Sequence, residues 1–135
     1  MEEELTVLIL DDANVSSFVG DRVHWLRQPQ SVKVFPHLNL QVISDPRSYH
    51  MKGPSGVVKT RIQADVRAET YGTAKLTIRA LYARLSGFKG LRGSIEFMGI
   101  FVSAGRDLNE ETAESERQLF RISADLEISW KETGV

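Results

Sequence analysis

An α+β fold is what this sequence predicts: a mostly antiparallel sheet with two main helices packed on one face and a long protruding β-hairpin. Three observations carry that expectation. Residues 58–69 alternate, with Val58, Thr60, Ile62, Ala64, Val66 and Ala68 on one side and Lys59, Arg61, Gln63, Asp65, Arg67 and Glu69 on the other. Residues 120–130 alternate in the same way, with Phe120, Ile122, Ala124, Leu126, Ile128 and Trp130 against Arg121, Ser123, Asp125, Glu127 and Ser129. Helical spacing governs residues 2–12 and the run that starts near Thr70, so helices and strands are interleaved by short connections.

Taken in order, "MEEELTVLIL" places acids at the positive end of a helix dipole and lets Leu5, Leu8 and Ile9 share a face. "DDANVSSFVGDR" mixes turn formers with Val15, Phe18 and Val19, which predicts a broken second turn of helix ending at Gly20. "RVHWLRQPQ" reads as a brief extended piece, with loop or edge structure around Pro29 and Pro36. In "HLNLQVIS", Leu38, Leu40 and Val42 alternate with Asn39 and Gln41 as a half-buried strand.

Residues 45–56 contain Pro46, Gly53, Pro54, Ser55 and Gly56, which predicts a long connection. The alternating run after it would span roughly 40 Å at about 3.3 Å per residue. Typical strands run about 5–6 residues, so pairing this one with 37–44 gives a hairpin that outreaches the body of the domain. The helix that follows is capped by Thr70 or Thr73, buries Ala74, Ile78, Leu81, Tyr82 and Leu85, and stops at Gly87. "SIEFMGIFVSA" reads as a strand with Ile95, Phe97 and Phe101 inward and a bulge at Gly99. "GRDLNEETAESE" reads as an acidic loop before the closing strand.

The 135 residues fit one domain of 1–135 with room for a core. A hydrophobic share of 41% and a charged share of 26% are those of a soluble globular chain. The sequence has no cysteine, which excludes disulfides, thiolate metal sites and cysteine nucleophiles. The acidic start and short apolar run match neither an export signal nor a membrane span, so an unexported chain with no membrane partner is expected. The net charge of −1 conceals three blocks: residues 1–21 carry six acids and no base, residues 22–92 thirteen bases and three acids, and residues 93–135 four bases and nine acids, giving −6 + 10 − 5 = −1. Opposed blocks can orient one copy on another, unless the fold interleaves and mixes them.

No motif in the chain carries chemistry. His24, His37 and His50 lie near different predicted strand ends with no second ligand at metal spacing, so no metal or other cofactor is expected. Asp65 and Glu69 share the polar side of the long strand, but Arg67 stands between them and nothing apolar is there to raise a carboxyl pKa. A solvated or subunit-facing charge ladder explains them better than a hydrolase pair. "GFKGLRG" has the G-x-x-G spacing of a KH clamp, yet a strand follows where that clamp needs a helix, and a helix stop with a turn is the simpler reading. No G-x-S-x-G or phosphate loop occurs. The basic middle block leaves phosphate contact open, and such binding would weaken steeply with salt. The residues therefore favour an interaction or structural module over an enzyme.

Four pieces, in order, resemble the tail-completion, or tail-terminator, family of long-tailed bacteriophages and prophages. "VGDRVHWLRQPQ" resembles that family's "VGxRIYxxxxPQ"; "PHLNLQVIS" its "LPYVVLxxIS" strand; and "GPSGVVKTRIQADVRAETYGTAKLTIRALYARLSGFKG" its central "xRVQVDxWAxTYxxAxxLAxAVxxAL.GF.G" core. "RQLFRISADLEISWKE" resembles the closing "YRxxLDFxVWYxE". His37, Asn39, Arg67 and Ala68 depart from the commoner choices. The resemblance implies a non-enzymatic virion protein of the tail-neck region, assembled in the host cytoplasm. It would act as a homo-hexameric ring that caps the tail tube, contacts the tail-tube protein and the head connector or neck protein, and lets DNA through without reading its sequence. A head-completion or stopper protein of the same neck is the near alternative, and an unrelated small α+β binding module or enzyme the distant one. For subunit or tail-tube contacts, the hairpin and its loop nominate Arg47, Tyr49, Lys52, Lys59, Arg61, Asp65, Arg67 and Glu69, and the acidic segment Glu110, Glu111 and Glu114.

Overall fold

The computed structural model describes residues 1–26, 35–45, 47–50, 53–111 and 118–132. Helix α1 spans Glu2–Leu10 and buries Leu5, Leu8 and Ile9. The Asp12 side chain then accepts from the Asn14 and Val15 N–H groups at 2.8 and 3.2 Å, starting a second helix, α2, Ala13–Val19. Such a cap satisfies donors that a helix start leaves orphaned. The expected single helix and broken turn are thus two helices, and with α3, Tyr71–Leu85, the described residues hold three rather than two main ones. Thr70 caps α3 by accepting from the Thr73 N–H at 3.1 Å. Its buried face is Ala74, Thr77, Ile78, Leu81 and Leu85, with Tyr82 half-buried at the rim.

The strands are β1 Val23–Trp25, β2 His37–Ser44, β3 Arg47–His50, β4 Gly53–Ala68, β5 Gly90–Arg92, β6 Ile95–Glu111 and β7 Gln118–Glu132. They form one sheet in the order β1-β2-β4-β7-β6-β5, with β3 also on β4. Among the described strands only the β1–β2 pair is parallel. At the centre, β4 and β7 run in unbroken register from Val57↔Lys131 to Ala68↔Phe120. Both strands follow the expected alternation: Val58 through Ala68 and Ile122 through Trp130 turn their even-numbered side chains into the core beneath the helices. No helix among the described residues is long and apolar enough to cross a membrane.

Three expectations need correction. The register of β6 on β7 slips between Phe97 and Gly99, as a bulge at Gly99 predicts, but the extra residue reverses the parity beyond it. Ile100 is therefore buried, while Phe101 is 55% exposed rather than inward. The Phe101 ring lies over Gly99, where an added Cβ would come within 2.9 Å of it. In β2, His37 to Asn39 are buried on both faces and Gln41 to Ser44 exposed on both, so Val42 is not a core residue. Finally, neither long loop is as long as its composition implies. Arg47–His50 pairs with Gly53–Val58, so strand reaches into the 45–56 segment, and β6 runs to Glu111, through half of the acidic segment.

Candidate functional site: the outer sheet face and the two hairpin ends

The face of the sheet turned away from the helices carries four of the eleven nominated residues, Lys59, Arg61, Asp65 and Arg67. Lys59 and Arg61 are exposed there, opposite Ser129 and Glu127. The Arg61 guanidinium donates to the Glu127 carboxylate at 2.6 Å, with both side chains about half exposed. Asp65 is different. Arg121 donates to it at 2.8 Å and the Gln63 amide at 3.2 Å, and its side chain is only 13% exposed. Burial works to raise the Asp65 pKa, but the adjacent Ser123 hydroxyl first, then the Gln63 amide and the Arg121 hydrogen bond and charge, outweigh it and hold the carboxyl below its ordinary value. The carboxylate is an anchored anion with no tendency to hold a proton at neutral pH. Arg67 is half-buried between His37 and Arg121 in register, and Glu69 is exposed beyond the end of β4. The apparent ladder is therefore three different environments.

One feature that alternation alone does not reveal is a buried polar patch at the β1 end of this face. His37 is fully buried and Asn39 nearly so, with His24 opposite Asn39. Both His37 ring nitrogens, His24 Nε2 and Asn39 Oδ1 have no hydrogen-bond partner among the described residues. Desolvation, with the nearby charges of Arg67, His24 and Arg22, pushes the His37 pKa down to about 4, so the ring is neutral near pH 7. No cluster of His, Asp and Glu among the described residues has the makings of a metal site.

The hairpins end at opposite ends of the sheet. The His50–Gly53 pair ends β3 and β4 past the Glu132 end of β7, whereas the Glu111–Gln118 pair ends β6 and β7 at the other end. At about 3.3 Å per residue the two ends stand roughly 45–50 Å apart. Arg47 and Tyr49 lie in β3, paired with Val58 and Pro54, close to the first end. Glu110 and Glu111 lie in β6, paired with Leu119 and Gln118, close to the second. Lys52 and Glu114 fall outside the described residues. Between those ends the fold interleaves the charge blocks: Arg61 pairs with Glu127, Lys75 with Asp107, Arg121 with Asp65, and Arg84 and Arg92 with Asp11.

On the helix side, the acidic half of β6 meets the start of α3. The Tyr71 hydroxyl donates to Asp107 at 2.7 Å, and Lys75 lies 3.5 Å from the same carboxylate. Led by the Tyr71 hydrogen bond, these contacts hold the Asp107 pKa below its ordinary value. Gly105 lets the chain pass under Tyr82: a Cβ there would stand 2.6 Å from the tyrosine hydroxyl.

No protein-family model matches this chain, and no curated protein matches its sequence. Its fold is similar to that of a chain in a solved structure described as the virion of a native gene transfer agent (GTA) particle. The TM-score is 0.71 at 16% identity, covering 92% of this chain and 89% of that one. A second solved chain superposes with a TM-score of 0.49 at 13% identity, over 95% of each. What the first likeness establishes for this chain is its fold, along almost the whole length of both chains.

Proposed function

We propose that this chain is a structural protein of a phage-like virion, which caps the tail tube at its head-proximal end as a homo-hexameric ring and forms the surface that joins the head. The observation that carries the reading is the near end-to-end fold likeness to a chain of a gene transfer agent virion. The tail-terminator resemblance of the four sequence pieces narrows it to the tail and neck. The ends of the two hairpins are then the contact surfaces: Arg47, Tyr49, Lys59 and Arg61 at one, Glu110 and Glu111 at the other, with Lys52 and Glu114 nominated from the sequence alone. Asp65, Arg67 and Glu69 flank them. A ring built from one chain uses two unlike surfaces of each copy, and ends of opposite charge suit that and the stacking of the ring on its neighbours. The role asks no catalysis of the protein and only passage of DNA.

Electron microscopy of particles made without the protein tests the proposal. Overlong tails, or tails that fail to join heads, are the expected result. Normal-length tails joined to heads would refute it. Tails of correct length that remain unjoined, with the protein found on the head side, would move the assignment to a stopper or head-completion protein.

A further inference from the structure

Among the described residues, the two outermost stretches of the sheet have no outer neighbour. On one side, β5 pairs only with Ile95–Phe97 of β6, and the Ile100 carbonyl accepts from the Gly87 N–H at 2.7 Å. From Phe101 to Glu111, no described residue outside β7 pairs with β6. Phe101, Ser103, Gly105, Arg106 and Asp107 are exposed along that edge. A groove of about 480 Å³ runs beside it, lined from α3 by Lys75, Ile78, Arg79 and Tyr82. On the other side, among the described residues, β1 pairs with Leu38–Leu40 of β2 alone, and the Leu26 N–H reaches the Leu40 carbonyl at 2.8 Å. Gln41 to Ser44 then continue as strand, exposed on both faces. An open edge presents every second N–H and C=O outward and templates another strand. Three strand spacings, about 14 Å, separate β2 from β6, so the two open stretches of one molecule cannot meet each other.

We infer that the open edge of β6 accepts the Gln41–Ser44 edge of β2 from a second copy of this chain, joining neighbouring sheets into one. The strand senses match. From β2 through β4 and β7 to β6 each step reverses direction, so β6 opposes β2. A copy related by rotation about a ring axis keeps its strand sense, and its β2 would lie antiparallel to β6, continuing the alternation of the sheet. A pair of β6 strands would also be antiparallel but would leave each β2 edge open; the head-to-tail contact uses both. This inference deepens the ring assignment above and rests on it for the number of copies.

The test is a photocrosslink on the full chain, with p-benzoylphenylalanine in place of the exposed Phe101. An equal mixture of isotopically light and heavy protein is irradiated, and its mass measured by sedimentation beforehand. Mixed-isotope adducts between residue 101 and the peptide containing residues 41–44 are expected. Ile43→Lys, a change at an exposed position, should leave the melting temperature unchanged and weaken self-association ~tenfold or more, as edge lysines do. A monomer at all concentrations would overturn the inference. So would adducts that map to helices or to β6 of the other copy, or self-association that Ile43→Lys leaves intact. Failure here with overlong tails in the deletion would leave the tail assignment standing; success with normal tails would leave the edge contact standing without it.

Discussion

The inner and outer halves of the same strands differ in what their side chains do. Between Leu38 and Leu40 of β2, Ile62 and Ala68 of β4, and Ile122 and Leu126 of β7, apolar side chains are buried beneath three helices. Toward the β3 end the inward side chains of β4 and β7 stay buried at Val58, Thr60, Ile128 and Trp130, while Gln41 to Asp45 and, on the face away from the helices, Lys59 and Arg61 are exposed. A strand segment exposed on both faces, as Gln41–Ser44 is, contributes little to the core. Its side chains are free to be chosen for another molecule. The two halves should therefore respond to substitution in opposite ways, and four experiments sharpen or break that contrast.

The largest effect is expected in the inner half. Leu126→Ala removes a fully buried side chain at the centre of the sheet and should cost about 2–5 kcal/mol of unfolding free energy in a denaturant titration. A cost under about 1 kcal/mol would mean that the centre is not the core.

Next comes His37. Its pKa is about 4 in the folded protein against about 6.5 unfolded. Between these values the unfolded chain binds the proton and the folded one does not, so stability falls as pH drops from about 6.5 to 4. The loss approaches about 3 kcal/mol at its acid limit. His37→Phe should flatten that slope. Asp65, with its lowered pKa, adds a further loss only below the ordinary carboxylate range.

Thr60 sits at the border of the halves. It accepts from the Trp130 indole N–H at 2.9 Å and donates to Asp45 at 2.6 Å. Thr60→Val keeps the shape but removes the acceptor of a buried N–H, and should cost about 1–3 kcal/mol. Thr60→Ser should restore most of it.

The smallest effect on stability belongs to the outer half. Arg61→Ala breaks an exposed pair with Glu127, which is worth about 0–1 kcal/mol.

Much of this division was legible in the sequence. The alternation at 58–69 and 120–130 identified the core face because a period of two has only one assignment once one side is apolar. The α3 face followed from its spacing for the same reason. What escaped was set by contacts that no local pattern encodes. Phe101 turned outward because one extra residue at Gly99 reversed the parity. His37 and Asn39 read as ordinary polar alternation, and only β1 lying alongside β2 shows that both faces are covered there. Proline, glycine and acid composition marked 45–56 and 105–116 as loops, whereas backbone pairing with β4 and β7 overrode local preference. The split of the N-terminal helix was signalled by Asp12, a strong cap residue that the run of turn formers disguised. For the nominated residues of β4, alternation placed Lys59, Arg61, Asp65 and Arg67 on one face but did not give the different state of each charge. Asp65 is engaged by Arg121, a partner 56 positions away in the chain.

The central claim is that the outer half serves assembly and not folding. The most direct measurement is on one variant, Lys59→Glu with Arg61→Glu, read twice: thermal unfolding of the purified protein, and head–tail joining and tail length by electron microscopy when it replaces the wild type. A melting temperature within a few degrees of wild type together with unjoined or overlong tails is the predicted result. Normal joined tails, or a loss of assembly no greater than the loss of folded protein, would contradict it.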